Sequence, residues 1–255
     1  MASTARRRRE LARRRFERQQ ERRSRAGARR GRGLRVLGAL VTVALIAGGG
    51  VLVAGALGDG DDTTATTDPN SVACDYRDTA DAAVPGIGLP REPEAGAAVP
   101  SAATLTIGGQ KVEVELFSNE APCTTRSFAF LAAADYFDDS TCHRLTTADS
   151  LKVLQCGDPT GSGSGGPGYE FDNENTDGAE YPAGTLAMAN SGADSNGSQF
   201  FLVYDDSDLD PDYTVFGRVT SGLDVLTGIA AEGTESGDDD GAPKNLVTLT
   251  DVTTT

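Results

Sequence analysis

The 255-residue chain has no tryptophan, two methionines, one histidine and four cysteines, and these shortages exclude whole classes of chemistry. With His143 alone, neither a multi-histidine metal site nor the paired-histidine helix of a zinc protease can be assembled. Lysine is almost as scarce, being confined to Lys111, Lys152 and Lys244. None of them closes the glycine-rich stretch 157–168, so that stretch is not a phosphate-binding loop, which needs a lysine followed by serine or threonine. It reads instead as a flexible surface loop shaped by glycines at positive φ. No Gly-x-Ser-x-Gly elbow supplies a nucleophilic serine. Cys142 and His143 are neighbours in an expected strand, so their side chains leave opposite faces and cannot act together as nucleophile and base. The run Asp238-Asp239-Asp240 lacks the spaced ligands and closing glutamate of a calcium loop and reads as a solvated acidic turn. No metal and no cofactor is expected.

Basic residues are also missing from most of the chain. Of the 23 Lys+Arg set against 38 Asp+Glu, fifteen arginines fall in residues 1–35 beside only Glu10, Glu17 and Glu21, leaving eight basic and thirty-five acidic residues thereafter. The net charge of −15 therefore joins a basic leader to a strongly acidic remainder. Such a remainder does not suit nucleic acid, whose phosphates need clustered cations, and no nucleic-acid partner is expected. Directly after the leader, residues 36–57 carry no charge. A helix of that length spans about 33 Å, enough to cross the apolar part of a bilayer. The basic flank on one side and Asp59, Asp61 and Asp62 on the other predict a single-pass cell-membrane protein. Residues 1–35 form its cytoplasmic tail, 36–57 its transmembrane helix, and everything beyond lies outside the cytoplasm. Ala54-Gly55-Ala56 has the small-residue pattern of a signal-peptide cleavage site, which is the competing reading.

Residues 58–101, rich in Asp, Thr, Ala, Pro and Gly, read as an extracytoplasmic linker. Cys74 lies within it. With Cys123, Cys142 and Cys156 it makes an even number of cysteines in an oxidising compartment, so two disulfides are expected with three connectivities open. A bridge at Cys74 would pin the nearby linker to the domain. From residue 102 the pattern changes to short β-branched runs, predicting strands at 103–107, 111–116, 142–146, 152–155, 185–189, 199–203, 213–219 and 246–252. Gly108-Gly109 marks a hairpin between the first two, Pro122 opens a helix ending near Tyr136 and Phe137, and a second helix is expected over 223–230. Residues 102–255 are thus a mainly β domain, and its eight strands and two helices suit a closed barrel with helices plugging its ends.

Several short motifs then occur in series. They are Cys142-His143-Arg144, Gln155-Cys156-Gly157-Asp158-Pro159-Thr160, Gly184-Thr185-Leu186-Ala187-Met188-Ala189-Asn190, Asn196-Gly197-Ser198-Gln199-Phe200-Phe201 and Val215-Phe216-Gly217-Arg218-Val219. In order and approximate spacing the series resembles the signature of the cyclophilin-type peptidyl-prolyl isomerases, across essentially all of residues 102–255. The resemblance implies an eight-stranded antiparallel closed β-barrel capped by two α-helices, in agreement with the strand count. It implies that Arg144 is the catalytic arginine, that Gln155 holds its side chain in place, and that Phe201 and Leu209 line a proline pocket. By the same likeness Gln199 and the backbone near Ala189 and Asn190 bind the substrate main chain. Val153 supplies apolar wall, and Tyr213 stands where the family has His or Tyr.

The chemistry suits those residue types. Rotation about an X-Pro bond breaks nothing, so a catalyst has only to favour the twisted amide, and a guanidinium keeps its charge at any working pH. Lys152 and Asp208 depart from the family's pattern, which implies weak or no binding of the cyclic peptide cyclosporin. The expected function is isomerisation of X-Pro bonds in exported proteins, without a covalent intermediate. The alternative is a cyclophilin-like module that binds proline-containing segments or a partner protein with little turnover.

Overall fold

In residues 102–107 and 110–116 every second side chain is buried, as a strand with one face on a core requires. The turn between them is made by Gly108 and Gly109 at φ 57° and 77°, the paired positive values that a two-residue hairpin needs. The computed structural model describes residues 71–79, 82–93 and 97–255. The expected cytoplasmic tail, membrane span and first part of the linker lie outside the described residues. Among the described residues no helix is long and apolar enough to cross a membrane.

In chain order the strands are β1 (Arg77–Asp78), β2 (Ala102–Ile107), β3 (Gln110–Leu116), β4 (Ser140–Thr141), β5 (Arg144–Thr146) and β6 (Val153–Cys156). There follow β7 (Tyr169–Glu170), β8 (Thr185–Met188), β9 (Phe200–Val203), β10 (Val215–Ser221), β11 (Asp240–Gly241) and β12 (Thr248–Thr254), with helices α1 (Pro122–Ala133) and α2 (Leu223–Glu232). Ten strands form one antiparallel sheet in the order β11-β5-β6-β9-β8-β10-β3-β2-β12-β4, while β1 pairs with β7 apart from it. The eight expected strands are all present, joined by short pieces that the sequence pattern does not mark.

The closed barrel requires correction. The sheet has two ends, β11 and β4, and no hydrogen-bonded ladder joins them among the described residues. The expected continuous strand 142–146 explains why: it begins only at Arg144, and Cys142 and His143, which join no ladder, separate β4 on β12 from β5 on β6. Because only two residues separate β4 from β5, the curled sheet is crossed at its seam by the covalent chain rather than by paired strands. The chain's one histidine sits in that crossing.

Alternation sorts the sheet into two faces with different occupants. Leu145, Leu154, Leu202 and Leu186 lie opposite one another across β5, β6, β9 and β8 and belong to the main core, where they meet Leu105, Val112, Phe128, Phe137, Phe216 and Leu249. α1 closes one side of that core. Its own cap, Ala121, has no side-chain acceptor; instead the Glu174 carboxylate accepts from the N–H groups of Cys123 at 3.0 Å and Thr124 at 2.8 Å, meeting the positive end of the helix. The helix stops short of Tyr136 because Asp135 turns left-handed at φ 53°, which folds Tyr136 and Phe137 back into the core.

The described part of the expected linker packs on the domain. Cys74 is bridged to Cys123, and Cys142 to Cys156. Tyr76 donates its hydroxyl to the Cys123 carbonyl at 2.7 Å and sets its ring edge-on against Tyr169 and Phe171. β1 adds to β7, and Arg77 reaches Asp172 at 2.6 Å. The conditional expectation of a pinned linker therefore holds for the residues around Cys74.

Candidate active site

The second face of the same strands builds the site. Arg144 lies opposite Gln155, Gln155 opposite Phe201, Phe201 opposite Ala187 and Ala187 opposite Val215, a single row across five strands. Residues directly opposite in an antiparallel pair share a face, so period two alone carries the arginine and the apolar residues to one surface. Along the strands, Val153 and Val203 form the next pair of that face. Here Val153, Tyr181, Ala187, Phe201 and Val203 make an apolar cluster separate from the main core, with Leu151, Ala179, Ala189, Leu209, Tyr213 and Val215 half-buried against it. Val153, Phe201, Leu209, Tyr213 and Ala189, drawn from distant parts of the sequence, are thus brought together.

Tyr181 shapes this cluster and carries no signal in the sequence. Its hydroxyl donates to the Tyr213 carbonyl at 3.0 Å and accepts from the Tyr213 N–H at 3.0 Å. The rings of Phe201 and Tyr213 meet edge to face with centroids 5.6 Å apart, and Tyr181 stands 6.3 Å from Phe201.

The polar end is a chain of hydrogen bonds. Arg144 donates from Nη1 to Gln155 Oε1 at 3.3 Å, Gln155 from Nε2 to Gln199 Oε1 at 2.9 Å, and Gln199 from Nε2 to the Gly165 carbonyl at 2.9 Å. Each amide thereby accepts from one neighbour and donates to the next, which fixes both orientations. Ala189 gives its N–H to the Gln199 carbonyl at 2.9 Å, and the Asn190 side chain holds the Asp212 carbonyl at 2.9 Å. Those groups of Ala189 and Asn190 are therefore engaged within the protein.

At its other edge Arg144 meets Asp240. Nε donates to Oδ1 at 2.8 Å and Nη2 to Oδ2 at 2.7 Å, a two-pronged ion pair whose guanidinium partner is 37 % exposed. The acidic run is thus not simply a solvated turn: Asp240 faces the arginine. Lys152, one residue before Val153, is engaged elsewhere, its ammonium bound by Asp205 at 2.7 Å. The glycine loop also differs from expectation. Its amides wrap the buried carboxylate of Asp158, which accepts from the N–H groups of Thr160, Ser162, Gly163, Ser164 and Gly165 at 2.7–3.1 Å. A side chain at Gly165 would place its Cβ 2.0 Å from Asp158 Oδ1, so the cradle requires glycine there.

Comparison with known proteins agrees with this arrangement. The profile of the family described as "Cyclophilin type peptidyl-prolyl cis-trans isomerase/CLD" matches residues 102–254. The "Probable peptidyl-prolyl cis-trans isomerase B" of Mycobacterium tuberculosis is 44% identical over 193 residues, 70% of this chain and 63% of that one. Its namesake from Mycobacterium leprae is 47% identical over 193 residues, covering 70% and 65%. The chain therefore spans rather less than two thirds of the length of these relatives. Among solved structures, a cyclophilin type peptidyl-prolyl cis-trans isomerase of Cryptosporidium parvum superposes with a TM-score of 0.53 at 26% identity, over 61% of this chain and 98% of that one. The same protein, solved in the presence of the dipeptide ala-pro, gives 0.52 at 26% identity over 60% and 98%. The chain belongs to the cyclophilin-type peptidyl-prolyl cis-trans isomerase family.

Proposed function

We propose that this protein accelerates cis-trans rotation of X-Pro bonds in exported proteins at the outer face of the cell membrane. The observation that carries the reading is the row Arg144–Gln155–Phe201–Ala187, which sets a permanent cation at the edge of an apolar, partly aromatic cluster separate from the main core. A proline ring enters the recess formed with Leu209, Val153 and Tyr213, and the prolyl amide then lies within reach of Arg144.

The barrier to rotation is about 18–20 kcal/mol because the nitrogen lone pair is delocalised into the carbonyl. Twisting the bond localises that pair and makes the nitrogen a better acceptor, so a guanidinium held at the amide favours the twisted state over either planar isomer. A rate gain of about 10⁴ requires only 5–6 kcal/mol. Preorganised charged hydrogen bonds and a fitted ring pocket supply that scale of stabilisation. No bond is broken, and no covalent intermediate enters.

The basic leader, the uncharged stretch 36–57 and the acidic residues after it support a topology with the domain outside and residues 1–35 in the cytoplasm. Pairing of all four cysteines supports an oxidising compartment. A second reading, a module that binds proline segments with little turnover, is favoured by one feature: Asp240 occupies two donors of Arg144.

The test is magnetisation exchange in an Ala-Pro peptide, measured by NMR with the full chain in mild detergent and its disulfides oxidised. Accelerated exchange, falling by about 100-fold or more in Arg144→Ala, supports the enzyme. Peptide binding with exchange at the uncatalysed rate supports the module. Protease added to cells whose outer layer is permeable should release the domain; a protected domain would overturn the topology.

A further inference from the structure

Arg144 stands on β5 and Asp240 on β11, at the end of the sheet, 96 positions apart in sequence. The backbones of the two strands pair, Asp240 lying opposite Thr146. Asp240 and Arg144 are therefore diagonal neighbours on one face, and the carboxylate meets the guanidinium edge to edge through both oxygens. Of the guanidinium's N–H donors, Asp240 takes one on Nε and one on Nη2, and Gln155 takes one on Nη1. One N–H on Nη1 and one on Nη2 remain. Three bonds to two partners on different strands hold the plane in one orientation.

We infer that Asp240 is a positioning residue for catalysis: it fixes the Arg144 guanidinium so that its remaining N–H groups serve the prolyl amide. The inference rests on the isomerase reading of this site. A point charge held in place needs no reorganisation as the amide twists, whereas an arm of the same charge free to wander loses most of that advantage. Asp240 touches no substrate in this account; it acts through Arg144. The neighbouring Asp239 contributes only its backbone, its carbonyl accepting from the Thr147 N–H at 2.8 Å.

The experiment uses the full chain, oxidised and in mild detergent, with an Ala-Pro peptide as substrate. Exchange rates are measured against peptide concentration for the wild type, Asp240→Ala, Asp240→Asn, Asp240→Glu, Asp239→Ala and Arg144→Ala. The expected result is that Asp240→Ala lowers kcat by about 10-fold with KM little changed, because positioning is realised in the twisted state. Asp240→Asn, which accepts only one of the two bonds, should fall close to the alanine variant. Asp240→Glu, which keeps both oxygens on a longer arm, should recover part of the rate, and Asp239→Ala should match the wild type. In ¹⁵N spectra the Arg144 Nε–H signal, sharp and shifted by its carboxylate partner, should lose that shift in Asp240→Ala while other amides keep their positions.

A kcat for Asp240→Ala within twofold of the wild type, or above it, overturns the inference. So does a loss that appears wholly in KM or is matched by Asp239→Ala. If Arg144→Ala itself retains the full rate, the isomerase reading of the site fails instead, and the two failures are told apart by that variant.

Discussion

Replacing Asp158 by asparagine exchanges a group that only accepts for one that donates on one side. Its Oδ1 takes the N–H and hydroxyl of Thr160 at 2.8 and 2.7 Å, while Oδ2 takes the amides of Ser162, Gly163, Ser164 and Gly165. The better orientation of the amide keeps its oxygen toward the four loop amides and turns its NH₂ against the Thr160 N–H. Bonds to a charged acceptor contribute about 1.5–3 kcal/mol each. Thr160, Ser162, Gly163 and Ser164 are exposed and water replaces part of what is lost, so a net destabilisation of about 3 kcal/mol is expected. For a domain of this size that lowers Tm by about 6–12 °C. The same change should slow catalysis, because the Gly165 carbonyl anchors Gln199, which holds Gln155, which holds Arg144. Burial alone would raise the Asp158 carboxyl, but the bonds from Thr160 and from the Gly165 and Gly163 amides outweigh it and hold it below the usual aspartate value. A depressed carboxylate stabilises the fold above about pH 4 and ceases to do so as pH falls through its folded-state value. Thermal melts followed by circular dichroism at neutral and acidic pH should therefore show a gap between wild type and variant that closes toward acid. Melting within about 2 °C of the wild type at neutral pH would show that the cradle does not hold the loop.

Three further outcomes are expected. Serine at both Cys74 and Cys123 removes a bridge spanning 49 residues. By loop entropy that costs about 4 kcal/mol, so Tm should fall while the exchange rate of an Ala-Pro peptide stays unchanged; an unchanged Tm contradicts the pinning of the segment. Burial pushes His143 below the usual histidine range, nearby Asp158 opposes this and Arg144 adds to it. As the only histidine it gives a single imidazole signal, whose NMR midpoint should lie below about 6.5. The unfolded chain then takes up that proton first, so His143 subtracts stability as pH falls through this value; a midpoint at or above it would reverse the sign. Ala at Gly157, which has φ 89°, would set a Cβ 2.3 Å from the Ser198 carbonyl, and should leave little folded protein in a solubility assay.

Much of the domain was legible because alternation is a strong constraint. The β2–β3 hairpin followed from Gly108-Gly109 and from Val112, Val114 and Leu116, whose buried face admits one register. The helix beginning at Pro122 followed from its proline and the spacing of Phe128, Leu131 and Ala132. What stayed hidden depends on contacts between distant residues. Glu174 caps α1 from 50 residues away, and Tyr181 steadies Tyr213 across 32. Neither lies in a pattern that marks it. The break at Cys142 and His143 was invisible for a different reason, since extended residues at a seam read the same as extended residues within a strand. The purpose of the glycine run could not be read until Asp158, a residue within the same loop, was seen to be the anion its amides enclose.

Asp240 shows most clearly where composition misleads. In a domain with twenty-six acidic residues and six basic ones, three consecutive aspartates look like solvated surface, and for most carboxylates that is correct. Cations are the scarce species here, so the informative question is which carboxylates they choose. Arg77, Lys152 and Arg218 each meet acids through a single nitrogen at well-exposed carboxylates, contacts of the kind that contribute little. Arg144 instead meets both oxygens of one carboxylate while its other arm is held by Gln155. Such an excess of acid makes an unrestrained arginine a poor catalyst, because its charge would be shared among many weak partners. A single two-pronged partner removes that choice, and a guanidinium accepts such a partner where an ammonium, with no planar fork, does not.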